Sequence, residues 1–257
     1  MRYLAWVDGN IVEASTLRFD EPYVMQRIHT LDYQAYCLPH HLELMREASE
    51  MLFGFASLCT AADAEDIIRH LLEKSRVTLS FSCPVVMRIN SRGELSFVVE
   101  TPTFGAGAYL RAKRYEVVAL VCEPPATIVQ TSVSVTNDSM SDMRVRMYGG
   151  ELALWIDDKH NLISRPWRPI FIVYRNRVYT PQSYESVEYM RCVEAVRAAG
   201  LELVVRDLPE SSLDAVEEIF VVDIMGVSSI SRIGHHRLLS SVASRVADRM
   251  MPKKIAL

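Results

Sequence analysis

Polar and hydrophobic positions alternate at the start of the chain and then change to a helical spacing. The segment Tyr3–Val7, the turn Asp8-Gly9-Asn10 and the segment Ile11–Ala14 predict a β-hairpin. From His40 to Phe53, apolar residues recur every three or four positions, which predicts an amphipathic helix. Ala61–Ser75 repeats this spacing. The pattern therefore predicts strands first and two helices after them.

Runs of β-branched and aromatic residues lie on both sides of the two predicted helices. Strands of an antiparallel sheet are predicted at Tyr23–Leu31, Ala35–Leu38, Val77–Ser82, Pro84–Asn90 and Leu95–Glu100. The stretch Thr101–Ala108 contains one proline and two glycines and is typical of an interdomain linker. We therefore predict two domains, residues 1–108 and residues 109–257.

The second half of the chain is β-rich and mixed. Strands are predicted at Glu116–Cys122, Thr127–Val135, Ala153–Ile156, Ile170–Val173, Leu201–Val205 and Ile219–Ile224. Helices are predicted at Ser183–Ala199, where Gly200 marks the end, at Leu213–Glu217 and at Leu238–Met251. The C-terminal domain is therefore expected to contain both strands and helices.

Composition narrows the class of protein. The 28 Lys and Arg residues nearly balance the 32 Asp and Glu residues, so we expect no nucleic-acid partner. The sequence has no signal peptide and no apolar run long enough to span a bilayer, so we expect a cytoplasmic protein without a membrane partner. The five cysteines are scattered and lack C-x-x-C spacing, which indicates buried thiols. Nucleotide-binding and hydrolase motifs are absent as well.

Several short motifs occur in a fixed order over almost the whole chain. They are Trp6-Val7-Asp8-Gly9, His41-Leu42-Glu43-Leu44, Arg88–Gly93, Ala153–Ile163, Val178-Tyr179-Thr180-Pro181 and Ala215–Phe220. In this order they resemble the motifs of the class IV aminotransferases, which are fold-type IV enzymes that use pyridoxal phosphate (PLP). That family includes branched-chain and D-amino-acid aminotransferases and aminodeoxychorismate lyases.

The resemblance implies a fold and an assembly. The fold would be the two-domain α/β (α+β) fold of D-amino-acid aminotransferase. It has an N-terminal antiparallel sheet with helices, and a C-terminal mixed sheet that curls toward a barrel. The resemblance also implies a homodimer, because members of the family complete the cleft between their domains from the neighbouring subunit.

The same resemblance places the cofactor anchors of the family on residues that lack the required chemistry. The lysine that forms the Schiff base would lie between Thr131 and Arg146, but the sequence has no lysine between Lys113 and Lys159. The other altered positions are Leu44 for the phosphate-binding arginine, Ser164 for the acid at the pyridine nitrogen, Pro169 for an asparagine, and Asp223, Ile224 and Met225 for the phosphate loop.

These losses predict a pseudoenzyme that has no catalytic residue and takes no cofactor, with a vacated cleft that binds a small anionic metabolite. The alternative is an active aminodeoxychorismate lyase or amino-acid transaminase, which would require Lys113 or Lys159 to reach the PLP ring. A dimeric interaction or regulatory module is a further alternative.

Four arginines are candidates for binding an anion in the vacated cleft, namely Arg144, Arg146, Arg165 and Arg168. Solvated surface charge is the simpler interpretation of the same residues. The pair His235-His236 is interpreted as a loop pair, because adjacent histidines on a regular element face different ways. No metal site is therefore expected.

Overall fold

The computed structural model describes residues 3–56, 59–77, 81–101, 104–105 and 110–250. The chain folds as two compact units. Unit 1 consists of Met1–Ala106 and Thr127–Val135, and unit 2 consists of Gly107–Ala126 and Thr136–Leu257. The predicted domain boundary between residues 108 and 109 lies outside the described residues and stays a prediction.

The described residues form helices and strands that we number in chain order. The helices are α1 (Leu38–Phe53), α2 (Ala61–Lys74), α3 (Ser132–Met147), α4 (Val187–Ala198) and α5 (Ser241–Met250), with short 3-10 helices at Ala14–Thr16 and Glu210–Ala215. The strands are β1 (Leu4–Val7), β2 (Asn10–Glu13), β3 (Tyr23–Ile28), β4 (Thr30–Leu31), β5 (Gln34–Ala35), β6 (Phe81–Ser82), β7 (Val85–Asn90), β8 (Leu95–Val99), β9 (Phe104–Gly105), β10 (Leu110–Val121), β11 (Gln130–Thr131), β12 (Leu152–Ile156), β13 (Leu162–Ile163), β14 (Ile170–Tyr174), β15 (Arg177–Thr180), β16 (Glu202–Val205), β17 (Glu218–Asp223), β18 (Gly226–Ile233) and β19 (His236–Arg237).

Unit 1 is built on a six-stranded antiparallel sheet in the order β11-β3-β7-β8-β1-β2. The hairpin of β1 and β2 is confirmed. Its two-residue turn places Asp8 at φ 43° and Gly9 at φ 94°, and turns of this kind match the right-handed twist of paired strands. The predicted antiparallel N-terminal sheet is therefore confirmed as well.

The two predicted N-terminal helices are confirmed and cover one face of this sheet. Helix α2 begins at Thr60, whose hydroxyl accepts a hydrogen bond from the Asp63 amide at 3.1 Å. The buried apolar side chains of α1 and α2 pack against Val85, Met87 and Ile89 of β7. The opposite face carries a smaller apolar cluster of Ala5, Met25, Val86 and Val98. Because side chains alternate along a strand, Arg88 lies on the same face as Val86.

Unit 2 is built on a nine-stranded mixed sheet in the order β13-β12-β10-β18-β17-β14-β15-β16, with β19 paired to β18. β10 runs parallel to both β12 and β18, whereas β14, β17 and β18 pair in antiparallel fashion. The core of this unit includes Leu154, Ile172 and Ile219. The predicted fold class, an antiparallel sheet followed by a curled mixed sheet, is confirmed.

Two sequence-based expectations are wrong. The sequence predicts a strand at Thr127–Val135, but only Gln130–Thr131 is extended in a ladder, and α3 begins at Ser132. The cysteines are not all buried, because Cys37 is exposed at the start of α1 in a left-handed conformation with φ 54°. Among the described residues, no helix has the length and apolar character needed to cross a membrane.

Candidate functional site

The start of α3, where the resemblance places the Schiff-base lysine, is closed by two hydroxyl side chains. The Ser134 amide donates to the Thr131 hydroxyl at 3.1 Å, and the Thr131 amide donates to the Ser134 hydroxyl at 2.8 Å. These reciprocal bonds satisfy amide groups that the first turn of a helix otherwise leaves unpaired. The residues here therefore cap the helix and carry no amine.

The described lysines do not replace the missing one. Lys159 is exposed in the turn between β12 and β13, where it lines an open surface groove with Glu210 and His235. Its amide donates to the Asp157 carboxylate at 2.9 Å, a bond that stabilises this turn. The side chain of Lys113 lies outside the described residues.

Two other altered positions have structural roles within their own units. Leu44 is buried on α1 in the core of unit 1, a position where an arginine side chain would not be exposed to solvent. Ser164 is fully buried in unit 2, and its hydroxyl accepts a hydrogen bond from the Ile170 amide at 3.2 Å. The Ser164 carbonyl accepts from the Tyr184 hydroxyl at 2.6 Å. Leu44 therefore contributes to packing and Ser164 to hydrogen bonding within its own unit.

The segment expected to correspond to the phosphate loop is a tight hairpin turn. Asp223 and Gly226 pair across the ends of β17 and β18, with Ile224 and Met225 between them. The Asp223 carboxylate accepts from the Met225 amide at 2.8 Å and from Arg168 Nε at 3.1 Å. The Met225 amide is therefore already bonded to a carboxylate, which places a negative charge at this turn. Pro169 lies beside this turn, and its carbonyl accepts from the Val222 amide at 3.1 Å.

Two of the four candidate arginines are brought together in unit 2 and are paired with acids. The tight turn Arg165–Arg168 is closed by the Arg168 amide donating to the Arg165 carbonyl at 3.0 Å. Arg165 is 4% exposed and binds Asp138 at 2.6 Å, while the Trp167 indole also donates to Asp138 at 2.7 Å. Burial lowers the pKa of the Arg165 guanidinium, and Arg168 acts in the same direction.

The remaining candidates do not join this network. Arg144 and Arg146 are exposed on α3 and make no ion pair within the described chain. His235 lies in the turn before β19, as expected for a loop residue, but His236 is the first residue of β19, and its Nε2 is 2.9 Å from the Val216 carbonyl oxygen. In the described part of the chain, no three His, Cys, Asp or Glu side chains cluster as a metal site would require. The four-arginine anion site stays a prediction.

An arginine that the sequence analysis did not select has the most unusual surroundings. Arg88 of β7 lies between Met25 of β3 and Ser96 of β8. Its Cζ is 4.0 Å from the ring centroid of Phe19 and 5.5 Å from that of Tyr23. Its Nε is buried and has no hydrogen-bond partner among the described residues. Burial lowers the pKa of Arg88, but an arginine side chain remains charged in proteins.

Arg88 lies in a cavity of about 310 Å³ within unit 1, which we call the Arg88 cavity. Four apolar or aromatic residues line it together with polar and charged ones: Val7, Leu17, Phe19 and Tyr23, then Asn90 and Ser96, with Arg18, Asp20, Glu21, Arg92 and Glu94 as the other charged residues. Arg92 forms an ion pair with Glu21, and Glu94 accepts from the Asn90 side chain at 2.5 Å. Arg88 therefore lacks the kind of partner that these neighbours have.

The order of strands and helices in both units agrees with a match between this chain and a family model. The model of the family described as amino-transferase class IV matches residues 24–233. The chain belongs to the class IV aminotransferases. No curated protein matches this class IV chain.

Solved structures show how far the fold agrees. The branched-chain aminotransferase from Thermoproteus uzoniensis with norvaline is 16% identical with a TM-score of 0.77, and the match covers 97% of this chain and 94% of that chain. An aminotransferase from Brucella abortus bound to PLP is 14% identical with a TM-score of 0.79, covering 97% and 98%. The branched-chain amino acid aminotransferase from Escherichia coli is 12% identical with a TM-score of 0.76, covering 96% and 92%.

These structures overturn the expectation that the chain takes no cofactor. The Brucella abortus aminotransferase is bound to PLP, so PLP is the cofactor to compare with this chain. The residues of this chain do not fit a covalently held PLP. The first turn of α3 offers Thr131 and Ser134 in place of an amine, and the Ser164 hydroxyl is bound by a backbone amide. The mismatch concerns covalent attachment and the partner of the pyridine nitrogen.

Sequence reasoning missed Arg88 as a site residue for a clear reason. The β-branched run Pro84–Asn90 predicts the strand, and alternation along it puts Arg88 on the same face as the buried Val86. The sequence signal that could have identified Arg88 is a charged residue at a position where the alternation predicts a buried side chain. Its contact with Phe19 joins residues 69 positions apart in the sequence, and no local pattern encodes such a contact.

Proposed function

We propose that this chain is a class IV aminotransferase that has lost PLP-dependent catalysis and binds a small anionic metabolite. The observation that carries the proposal is the start of α3, where Thr131 and Ser134 cap the helix and no lysine is present. An imine to PLP needs an amine at the cofactor. Arg88 supports the second part, because its guanidinium is partly buried, has no ion pair among the described residues, and would be stabilised by an anion.

PLP remains one candidate for that anion, since a solved structure of the same fold contains it. The activity that we propose to be lost is the formation of a Schiff base with PLP. The alternative is an active aminodeoxychorismate lyase or amino-acid transaminase that uses Lys113 or Lys159. Lys159 is exposed in a turn, which argues against a role as a desolvated nucleophile.

The test is to incubate the protein with PLP, reduce with borohydride and map the modified lysines by mass spectrometry. We expect weak labelling spread over surface lysines, rising with PLP concentration, and no amino-group transfer from amino acids to 2-oxo acids. An active class IV aminotransferase serves as the positive control. A stoichiometric adduct on one lysine that disappears in Lys113→Arg or Lys159→Arg would establish the active-enzyme alternative.

A second candidate function, a dimeric interaction module, is favoured by the outer face of α3. Met140, Met143 and Met147 are 53%, 57% and 81% exposed, and their spacing of three and four residues places them in one stripe. We propose that this stripe packs against the α3 helix of a second copy in antiparallel orientation. That orientation places Met140 of one helix opposite Met147 of the other. Class IV aminotransferases are usually dimers.

The double change Met140→Glu and Met147→Glu is expected to convert this dimer to a monomer, because like charges would face each other across the pair. Light scattering coupled to size-exclusion chromatography measures the mass, and circular dichroism checks that the fold is kept. The matched control is Met51→Glu, which changes a 71% exposed methionine on α1. An unchanged dimer mass in the double variant would exclude the α3 stripe as the interface.

A further inference from the structure

The contents of the Arg88 cavity indicate what kind of ligand it would accept. We infer that this cavity binds a small monocarboxylate with a flat or branched apolar body, whose carboxylate pairs with the guanidinium of Arg88. The inference rests on the proposed function and narrows its ligand from anions in general to one chemical class.

The charge of Arg88 indicates that the ligand is an anion. Arg88 has no ion pair and no hydrogen bond in the described part of the chain, although its Nε is buried. Arg88 as a whole is partly buried, and withdrawing part of a cation from water without a partner is unfavourable. The aromatic rings of Phe19 and Tyr23 compensate part of this cost through cation–π contacts. A bound anion would supply the remaining compensation.

The type of anion follows from the number of cations. Arg88 is the one arginine of the lining that touches Phe19 and Tyr23, whereas Arg92 is neutralised by Glu21. The exposed Arg18 donates to the Leu17 carbonyl at 3.0 Å. A single guanidinium matches a singly charged carboxylate, which it binds through two parallel hydrogen bonds. A phosphate dianion carries two charges and matches a single guanidinium less well.

The body of the ligand follows from the size and lining of the cavity. A volume of about 310 Å³ corresponds to roughly ten water molecules, enough for a ligand of that many non-hydrogen atoms. Val7, Leu17 and the two aromatic rings present an apolar surface to it. The acidic groups of the lining do not oppose the carboxylate directly, because Glu21 is paired, Glu94 is bound by Asn90, and Asp20 is exposed. Glu100, whose charge also acts on Arg88, forms an ion pair with Arg27.

Calorimetric titration with phenylacetate tests the inference, with neutral phenylacetamide and inorganic phosphate as comparison ligands. We expect saturable binding of phenylacetate and much weaker binding of the other two. Arg88→Met should weaken phenylacetate binding at least about tenfold, because it removes charge-assisted hydrogen bonds. It should also raise the Tm of the ligand-free protein by about 2–4 °C, because it removes a partly buried charge that has no ion pair in the described part of the chain. Arg69→Met, which removes an exposed, ion-paired arginine of α2 outside the cavity, is the matched control and should bind within about twofold of wild type.

Each contrary result is informative. If Arg88→Met lowers the Tm of the ligand-free protein, Arg88 is a structural residue and the inference is wrong. Should that variant not fold, Arg88→Lys decides, because it keeps the charge but loses the two parallel hydrogen bonds; binding equal to wild type would contradict carboxylate recognition. Equal binding of phosphate and phenylacetate would also contradict it. None of these results depends on PLP, whereas the proposed loss of catalysis fails only if a lysine adduct forms.

Discussion

Replacing Asp138 by Ala is expected to lower the free energy of unfolding by about 3–5 kcal/mol. Asp138 Oδ1 lies 2.6 Å from Arg165 Nη1, and the two side chains are only 13% and 4% exposed. Without the carboxylate, the Arg165 guanidinium keeps a hydrogen bond to the Ala153 carbonyl at 3.3 Å and a contact with the Trp155 ring at 4.7 Å. Neither contact carries a negative charge. Equilibrium urea unfolding, followed by circular dichroism, measures the change.

A double-mutant cycle separates the charge effect from simple loss of contacts. Asp138→Ala combined with Arg165→Met should recover most of the lost stability, because a buried ion pair can be replaced by apolar groups at little cost. The matched control is Asp66→Ala, which breaks an exposed ion pair with Arg69 on α2 and should change stability by less than about 0.5 kcal/mol. A cost for Asp138→Ala as small as that of the control would show that water reaches Arg165.

The sequence pattern is sufficient to predict helices and strands whose apolar residues recur at a regular spacing. The β1–β2 hairpin carries its own turn residues, and α1 and α2 repeat apolar positions at helical spacing. The order of motifs is sufficient for the fold, since the family model matches residues 24–233. The residues that form such local signals lie close together in the sequence, so these signals can be recognised without knowledge of the tertiary structure.

Helix α3 shows where local reasoning stops. Its first residues alternate serine, threonine and valine, which favours a strand. Its buried residues are Ser141 and Val145, so it lacks the buried apolar stripe that marks a surface helix. The reciprocal bonds between Thr131 and Ser134 start the helix, and threonine or serine in such a position has no unique sequence signature.

The charged groups of unit 2 are visible in the sequence, but their partners are not. The sequence indicates Arg165 and Arg168 as candidates for binding an external anion, and both are instead bound by acids of the chain itself. Asp138 lies 27 residues before Arg165, and Asp223 lies 55 residues after Arg168. Pairing over such distances depends on how strands and helices pack, which hydrophobic periodicity does not encode.

Replacing Glu218 by Ala is expected to lower the free energy of unfolding by about 3 kcal/mol, because it leaves buried donors without an acceptor. Glu218 is 1% exposed at the start of β17, and its carboxylate receives the first turn of α5. The Val242 amide donates to it at 2.9 Å, the Ala243 amide at 3.1 Å and the Ser241 hydroxyl at 2.6 Å. A negative charge at this end of a helix also interacts favourably with the helix dipole.

Glu218→Gln separates these two contributions, since it keeps an acceptor oxygen but removes the charge, and we expect a smaller loss of about 1–2 kcal/mol. Glu202→Ala breaks an exposed pair with Arg177 at 2.8 Å and serves as the matched control, with an expected change below about 1 kcal/mol. Hydrogen exchange should show the Val242 and Ala243 amides losing protection in Glu218→Ala, because α5 depends on this carboxylate for its N-terminal bonds. Unchanged protection of both amides, together with a stability loss no larger than that of the control, would mean that packing of Val246 and Met250 alone holds α5 on the sheet.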